Sequence, residues 1–158
     1  MKEMCAHDIV QSMSLIDNKK VLFDYTILEE LEAGLELFGT EVKALRNNQG
    51  SLKGARVIVR GGEAYLVGAT IPPWQIANAA KTYDPERPRR LLLNPKEIAQ
   101  VASAEGQKGL TVVPISLYNR GRRLKLSIGI ARGKKQHDKR EALRKREESR
   151  KIGRQLKE

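Results

Sequence analysis

The 158-residue sequence is short of the residues that carry most protein chemistry, with one cysteine (Cys5), two histidines (His7 and His137) and only 4% aromatic residues. A lone thiol has no partner for an intramolecular disulfide, which points to a reducing, cytoplasmic setting. One cysteine and two distant histidines cannot close a zinc site, and there is no phosphate-binding glycine loop, GxGxxG or HExxH. No cofactor and no metal are therefore expected. His137 beside Asp138 is a poor acid–base pair, since adjacent residues on a helix do not face each other, so no catalytic residue is expected. Long apolar runs are also missing. The opening MKEMCAHDIVQSMSLIDNKK interrupts its apolar residues with Glu3, His7, Asp8 and Gln11, which is not the pattern of a secretory signal, and no later run approaches membrane-spanning length.

What is present is positive charge, gathered at one end. Residues 131–158 hold 12 Lys and Arg against 5 Asp and Glu, so they carry +7 of the formal net charge of +11. Residues 1–130 hold 18 against 14 and are only mildly basic. A segment so basic and so poor in apolar residues cannot bury enough surface to offset its ordering entropy, and it awaits a polyanion. Nucleic acid is the leading partner. A membrane is not expected, because Leu143, Ile152 and Leu156 make no continuous apolar stripe. The chain divides into a mobile leader at 1–18, one body at 19–130 and a basic tail at 131–158.

Along the body, residues 25–37 read as a strand bent at Gly34. Residues 40–47 read as one to two helical turns, with Thr40 as cap, Glu41 in the first turn and Lys43 and Arg46 near the end. The run VIVRGGEAYLVGATI is a hairpin turning on Gly61 and Gly62. A proline-bearing loop over 72–88 ends in Arg87, Arg89 and Arg90, expected at the surface and available to phosphate. In NPKEIAQVASAEG, Asn94, Pro95 and Glu97 stand as cap, first position and capping-box acid of a helix stopped by Gly106. LTVVPISLY and RRLKLSIGIA make a second hairpin. Short strands, two hairpins and one late helix predict a mainly β fold, a small closed barrel of the OB type.

Alternation sends Glu30, Glu32 and Glu36 to one strand face. Phe23 or Tyr25, beside the first strand, is expected to stack on an exposed base, and Lys43 and Arg46 join the residues expected to contact RNA. In the tail, Asp138 is expected to cap a helix, with Glu141–Lys145 and Glu147–Lys151 as favourable pairs. Arg140 with Arg144 and Arg150 with Arg154 are like-charge pairs on the same faces. The pattern predicts a tail that is disordered when free and helical on RNA.

The segments EAGLELFGTEVKALR, RRLLLNPKEI, LTVVPISLY and IARGKKQHDKR, in this order over roughly residues 18–150, resemble the small protein B family, the tmRNA-binding proteins of bacterial trans-translation. The resemblance implies an OB-like barrel that binds the tRNA-like domain of tmRNA. It also implies joining alanylated tmRNA and elongation factor Tu, and entering ribosomes stalled without a downstream codon. By position it implies that Glu32, Leu92 and Asn94 bind the tRNA-like domain; Leu92 read alone is also a core residue, and Asn94 a helix cap. It further implies that the tail occupies the vacant mRNA path. His137 would then lie near the decoding site, followed by Asp138, Lys139 and Arg140, with Lys134, Lys135, Arg144, Lys145, Ile152 and Leu156 also on the ribosome. Phe23 stands where the family can carry histidine. Composition alone equally fits a resident ribosomal protein with a barrel body and an rRNA-threading extension. A monomer is expected.

Overall fold

The computed structural model describes residues 14–155, and it opens with a strand, β1 (Ser14–Asp17). The end of the expected leader is thus an edge strand of the body, while the rest of the leader, with Cys5 and His7, lies outside the described residues. A short helix, α1 (Lys19–Asp24), leads into β2 (Tyr25–Leu35), the strand expected over 25–37. The next helix, α2 (Gly39–Arg46), starts two residues earlier than its sequence suggests, with Phe38 rather than Thr40 as its cap. The Phe38 backbone is extended, and its N–H donates to Glu41 Oε2 at 2.9 Å, so the acid three residues on closes the helix start.

The first hairpin is as expected. Strands β3 (Arg56–Arg60) and β4 (Glu63–Val67) turn on Gly61 and Gly62, at φ 60° and 76°, the positive values that a tight hairpin turn requires. One 3-10 turn, Ile76–Asn78, interrupts the loop that follows, and then come β5 (Arg89–Leu92) and α3 (Pro95–Gly106). The start of α3 has Asn94 as cap and Pro95 first, and the Asn94 N–H donates to Glu97 Oε2 at 2.8 Å. The second hairpin joins β6 (Leu110–Arg120) to β7 (Arg123–Gly133). Since β7 runs past residue 130 and Ala131 is fully buried, the body extends to Gly133. A 20-residue helix, α4 (Gln136–Gln155), follows.

The seven strands of the described residues form one antiparallel sheet in the order β1-β6-β7-β2-β5-β4-β3. The fold is mainly β and OB-like, but the barrel is not closed. Among the described residues the edge strands β1 and β3 do not pair, because β1 has only four residues and α2 packs beside it. The sheet instead curls until β3 packs on β6, with α3 lying against both. Asn18 stitches the gap, its buried amide donating to the carbonyls of Leu52 at 3.0 Å and Pro114 at 3.1 Å. Ala44 and Leu45 of α2 and Val101 and Ala104 of α3 plug a core that includes Leu66, Leu91, Leu126 and Ile128.

A bulge sets which side chains leave the core. In β2, Ile27 pairs with Ala131 and Glu29 with Ile130, so Leu28 is an extra residue and the alternation inverts there. Before the bulge, Tyr25 and Ile27 pack with Val21, Val113 and Ala131 against α1, on the outer side of the sheet. After it, Leu31, Ala33 and Leu35 turn inward, and Glu30, Glu32, Gly34 and Glu36 turn outward. Gly34, where a bend was expected, is where β2 changes partner: it pairs with Lys125 of β7 and with Leu92 of β5. A Cβ on Gly34 would meet the Leu92 Cβ at 3.1 Å, so the bare backbone admits the Leu92 side chain.

Candidate nucleic-acid interface

The outward positions of the sheet form one continuous row. Glu32 of β2 is at its centre, with Oε1 2.7 Å from Arg120 Nη1 and 3.9 Å from Lys125 Nζ, and Oε2 accepts the Tyr118 hydroxyl. Burial pushes the Glu32 carboxyl up, but the hydrogen bonds from Tyr118 and Arg120 and the charges of Arg120 and Lys125 outweigh it and hold it below its usual value. The Tyr118 hydroxyl, desolvated and bonded to that carboxylate, is pushed up. Two residues along β2, Gly34 faces Leu92, which is 54% exposed; the row continues through Arg90, 2.6 Å from Glu63 and 3.8 Å from Glu36. Asn94 is exposed at the start of α3. The structure therefore brings Glu32, Leu92, Arg90 and Asn94 to one face. Of the two readings of Leu92, the core one fails: Leu91 fills the interior and Leu92 faces solvent.

Arg89 is elsewhere. Sequence reasoning placed it with Arg87 at the surface, whereas its side chain is 0% exposed. Strand alternation explains the correction, since Arg89 and Leu91 share the inner face of β5. Its charge is matched by Glu41, also 0% exposed, with Nη2 and Nε 3.0 and 3.2 Å from Oε1 and two further bonds to the carbonyls of Ala69 and Pro85 at 2.7 Å. Arg87 joins the same carboxylate through Nη2 at 2.6 Å and Nε at 3.0 Å, and the Tyr83 hydroxyl donates to it at 3.0 Å. Burial raises the Glu41 carboxyl, yet its bonds to Arg87, the Phe38 N–H and Arg89 leave it lowered overall. Arg87 also lies over the Phe38 ring, 4.0 Å from its centroid. Lys43 and Arg46 are exposed on α2, and Arg46 Nη2 donates to the Arg122 carbonyl at 2.9 Å, at the turn between β6 and β7.

Tyr25 stands at the far end of β2 from this row, about 20 Å from Glu32 at the usual strand rise, with Phe23 beside it in α1, close to where the tail leaves the body. Tyr25 pairs with Gly133 and is half-buried among Val21, Val113 and Ala131. Among the described residues the tail is tied down at its root. The Lys134 N–H donates to the Asp24 carbonyl at 2.9 Å and its Nζ to the Leu22 carbonyl at 3.1 Å, while Lys139 Nζ is 3.0 Å from Asp24 Oδ1. Lys135 is exposed at the junction. The tail forms a helix, α4, that starts at Gln136, two residues before the expected cap Asp138. Asp138 lies in the first turn, where its charge still complements the helix N-terminus. Glu141–Lys145 closes at 3.3 Å as expected. His137, Arg140, Arg144 and Lys145 line one face, together with Glu141 and Glu148. Ile152 is exposed, and its expected neighbour Leu156 lies outside the described residues.

Sequence reasoning missed the partners of Glu32. Alternation in the second hairpin carries the signal for them, since Tyr118, Arg120 and Lys125 fall opposite in phase to Leu117, Leu124 and Leu126. Among the described residues, no three His, Cys, Asp or Glu side chains gather to hold a metal ion, and no helix is long and apolar enough to cross a membrane.

Comparison with known proteins adds names to this geometry. The family model for SmpB protein matches residues 15–158. An SsrA-binding protein of Synechococcus sp. (strain JA-2-3B'a(2-13)) is 47% identical over 146 residues, covering 92% of this chain and 94% of its own. An SsrA-binding protein of Thermosipho africanus (strain TCF52B) is 47% identical over 141 residues, covering 89% and 94%. A chain in the solved structure "tmRNA-SmpB: a journey to the center of the bacterial ribosome" superposes with a TM-score of 0.65 at 38% identity, covering 82% of this chain and 94% of that one.

Proposed function

The chain belongs to the SmpB family, and from that premise we propose that its outward row from Arg120 through Glu32 and Leu92 to Arg90 is the face that binds the tRNA-like domain of tmRNA. The protein is an RNA-binding adaptor of trans-translation rather than an enzyme, and it carries tmRNA to ribosomes stalled without a downstream codon. The observation that carries the reading is Leu92, a large apolar side chain left exposed beside Gly34 and flanked by ion-paired outward residues. Asn94 extends the face at the start of α3, and Lys43 and Arg46 supply phosphate contacts from α2. Phe23 and Tyr25 offer stacking surface near the tail root. Arg89 acts from inside, through Glu41.

The tail residues Lys134, Lys135, His137, Asp138, Lys139, Arg140, Arg144, Lys145, Ile152 and Leu156 engage the ribosome. There α4 occupies the mRNA path with His137 toward the decoding site, and an occupied path excludes it by volume and by phosphate charge. The protein works in the cytoplasm as a monomer and meets elongation factor Tu through alanylated tmRNA. A resident ribosomal protein is the weaker reading, since the relatives carry the name SsrA-binding protein.

The test compares tmRNA with plain tRNA at physiological salt. The parent is expected to prefer tmRNA, and Leu92→Ala and Glu32→Gln each to lose about tenfold in affinity, roughly 1.4 kcal/mol. Truncation after Lys135 is expected to leave tmRNA binding intact and to abolish tagging on stalled ribosomes. Equal affinity of the parent for the two RNAs would overturn the assignment.

A further inference from the structure

Phe38 occupies an odd position for a large aromatic residue, 56% exposed at the cap of α2. The antiparallel register of β2 and β5 pairs Gly34 with Leu92 and Leu35 with Leu91, and the Glu36 N–H donates to the Arg90 carbonyl at 3.0 Å. Continued by two residues, the alternation puts Phe38 in phase with Glu36, Gly34 and Glu32, as the next outward position of the row. One face of its ring is covered by the Arg87 guanidinium, 4.0 Å from the centroid. That guanidinium cannot swing away cheaply, because two bonds of 2.6 and 3.0 Å fix it to the fully buried Glu41 carboxylate. The same carboxylate accepts the Phe38 N–H at 2.9 Å, so ring and cation are held by one anchor.

We propose that Phe38, backed by Arg87, is a preformed stacking platform for one unpaired base of the bound RNA. The inference rests on the row being the tmRNA face, and it adds a recognition element chosen by shape and π-surface rather than by charge. A base is the ligand the geometry fits. The ring offers one flat apolar face already stiffened from behind, and a cation on the buried side strengthens contact with a polarisable aromatic partner. Every base has such a face, so the platform selects an unstacked nucleotide at this position without reading its identity.

The experiment measures affinity of the full chain for the tRNA-like domain of tmRNA with Phe38→Leu, Phe38→Ala and Phe38→Tyr. Loss of one base stack predicts a drop of about 5- to 150-fold for Leu and Ala, with Tyr within about twofold of the parent. Because a stack neutralises no phosphate, the slope of log affinity against log salt is expected to stay that of the parent. Thermal melting of each variant accompanies the titration, and Leu, which keeps apolar bulk, is the deciding variant if Ala melts early. Parental affinity in the Leu variant, an equal loss in Tyr, or a salt slope reduced by about one would overturn the platform. Failure of the parent itself to prefer tmRNA over tRNA would instead overturn the assignment of the face.

Discussion

Glu41 is a carboxylate with no exposed surface that remains ionised, because Arg87, Arg89 and the Phe38 N–H supply in fixed positions what water would supply outside. Its folded pKa lies below its unfolded value, so the stability it contributes is complete above the usual carboxylate range and is lost as pH falls through the depressed value. Glu32 shifts in the same direction and adds to the same limb. Thermal melting is therefore expected to hold level from neutrality down to about pH 5 and then to fall. Glu41→Gln is expected to cost about 3–5 kcal/mol at neutral pH, read by urea denaturation, and to flatten the acid limb. A loss under about 1 kcal/mol would mean that the arginines find other partners. Local pattern could not reveal this centre: an acid in a first helical turn reads as a dipole complement, and its partner is 48 residues away. The inward phase of Arg89 was not legible either, since RRLLL has no period-2 pattern and the preceding proline loop made the segment read as surface.

Among the elements, those governed by local chemistry were readable and those governed by long-range contact were not. The α3 start follows from Asn94, Pro95 and Glu97 alone, and the β3–β4 turn from two glycines. The start of α2 was misplaced because Phe38 is an unpromising cap; only the Glu41 side chain makes it one. For α4 the sequence supplies opposing signals. Glu141–Lys145 closes, and Lys139 reaches Asp24, but Arg140 with Arg144 and Arg150 with Arg154 place like charges one turn apart. A helix with those repulsions and almost no apolar face is marginal without a polyanion. A peptide spanning residues 131–158 is expected to show low helicity by circular dichroism in buffer and to gain it on addition of RNA. High helicity in buffer alone would show that the helix is intrinsic to the segment.

At the scale of the whole molecule, an unclosed sheet has to protect its edges. β1 is too short to recruit a partner, and β3 is blocked by α3: Glu105 Oε2 accepts the Val59 N–H at 2.8 Å, and Oε1 is 3.0 Å from Arg60 Nη1. That backbone bond, more than the Arg60 charge, lowers the Glu105 carboxyl. Glu105→Ala is expected to leave the fold intact and to make sedimentation concentration-dependent as β3 edges pair; unchanged monomeric sedimentation would show that the edge is closed by other means. That the sheet stays open was not legible, because the gap is set by curl and by the Asn18 stitch across 96 residues, not by any strand's own pattern. The bulge at Leu28 was equally invisible, although its effect reaches across the molecule. It acts as a phase shift in a strand that faces two ways: were Leu28 paired in regular alternation instead of bulged out, either Tyr25 and Ile27 would enter the interior or the glutamates beyond would. Leaving that residue out of the ladder thus keeps the root of the tail and the proposed RNA face on the same outer side of the sheet, so that a carried RNA and the tail helix would be presented from one side.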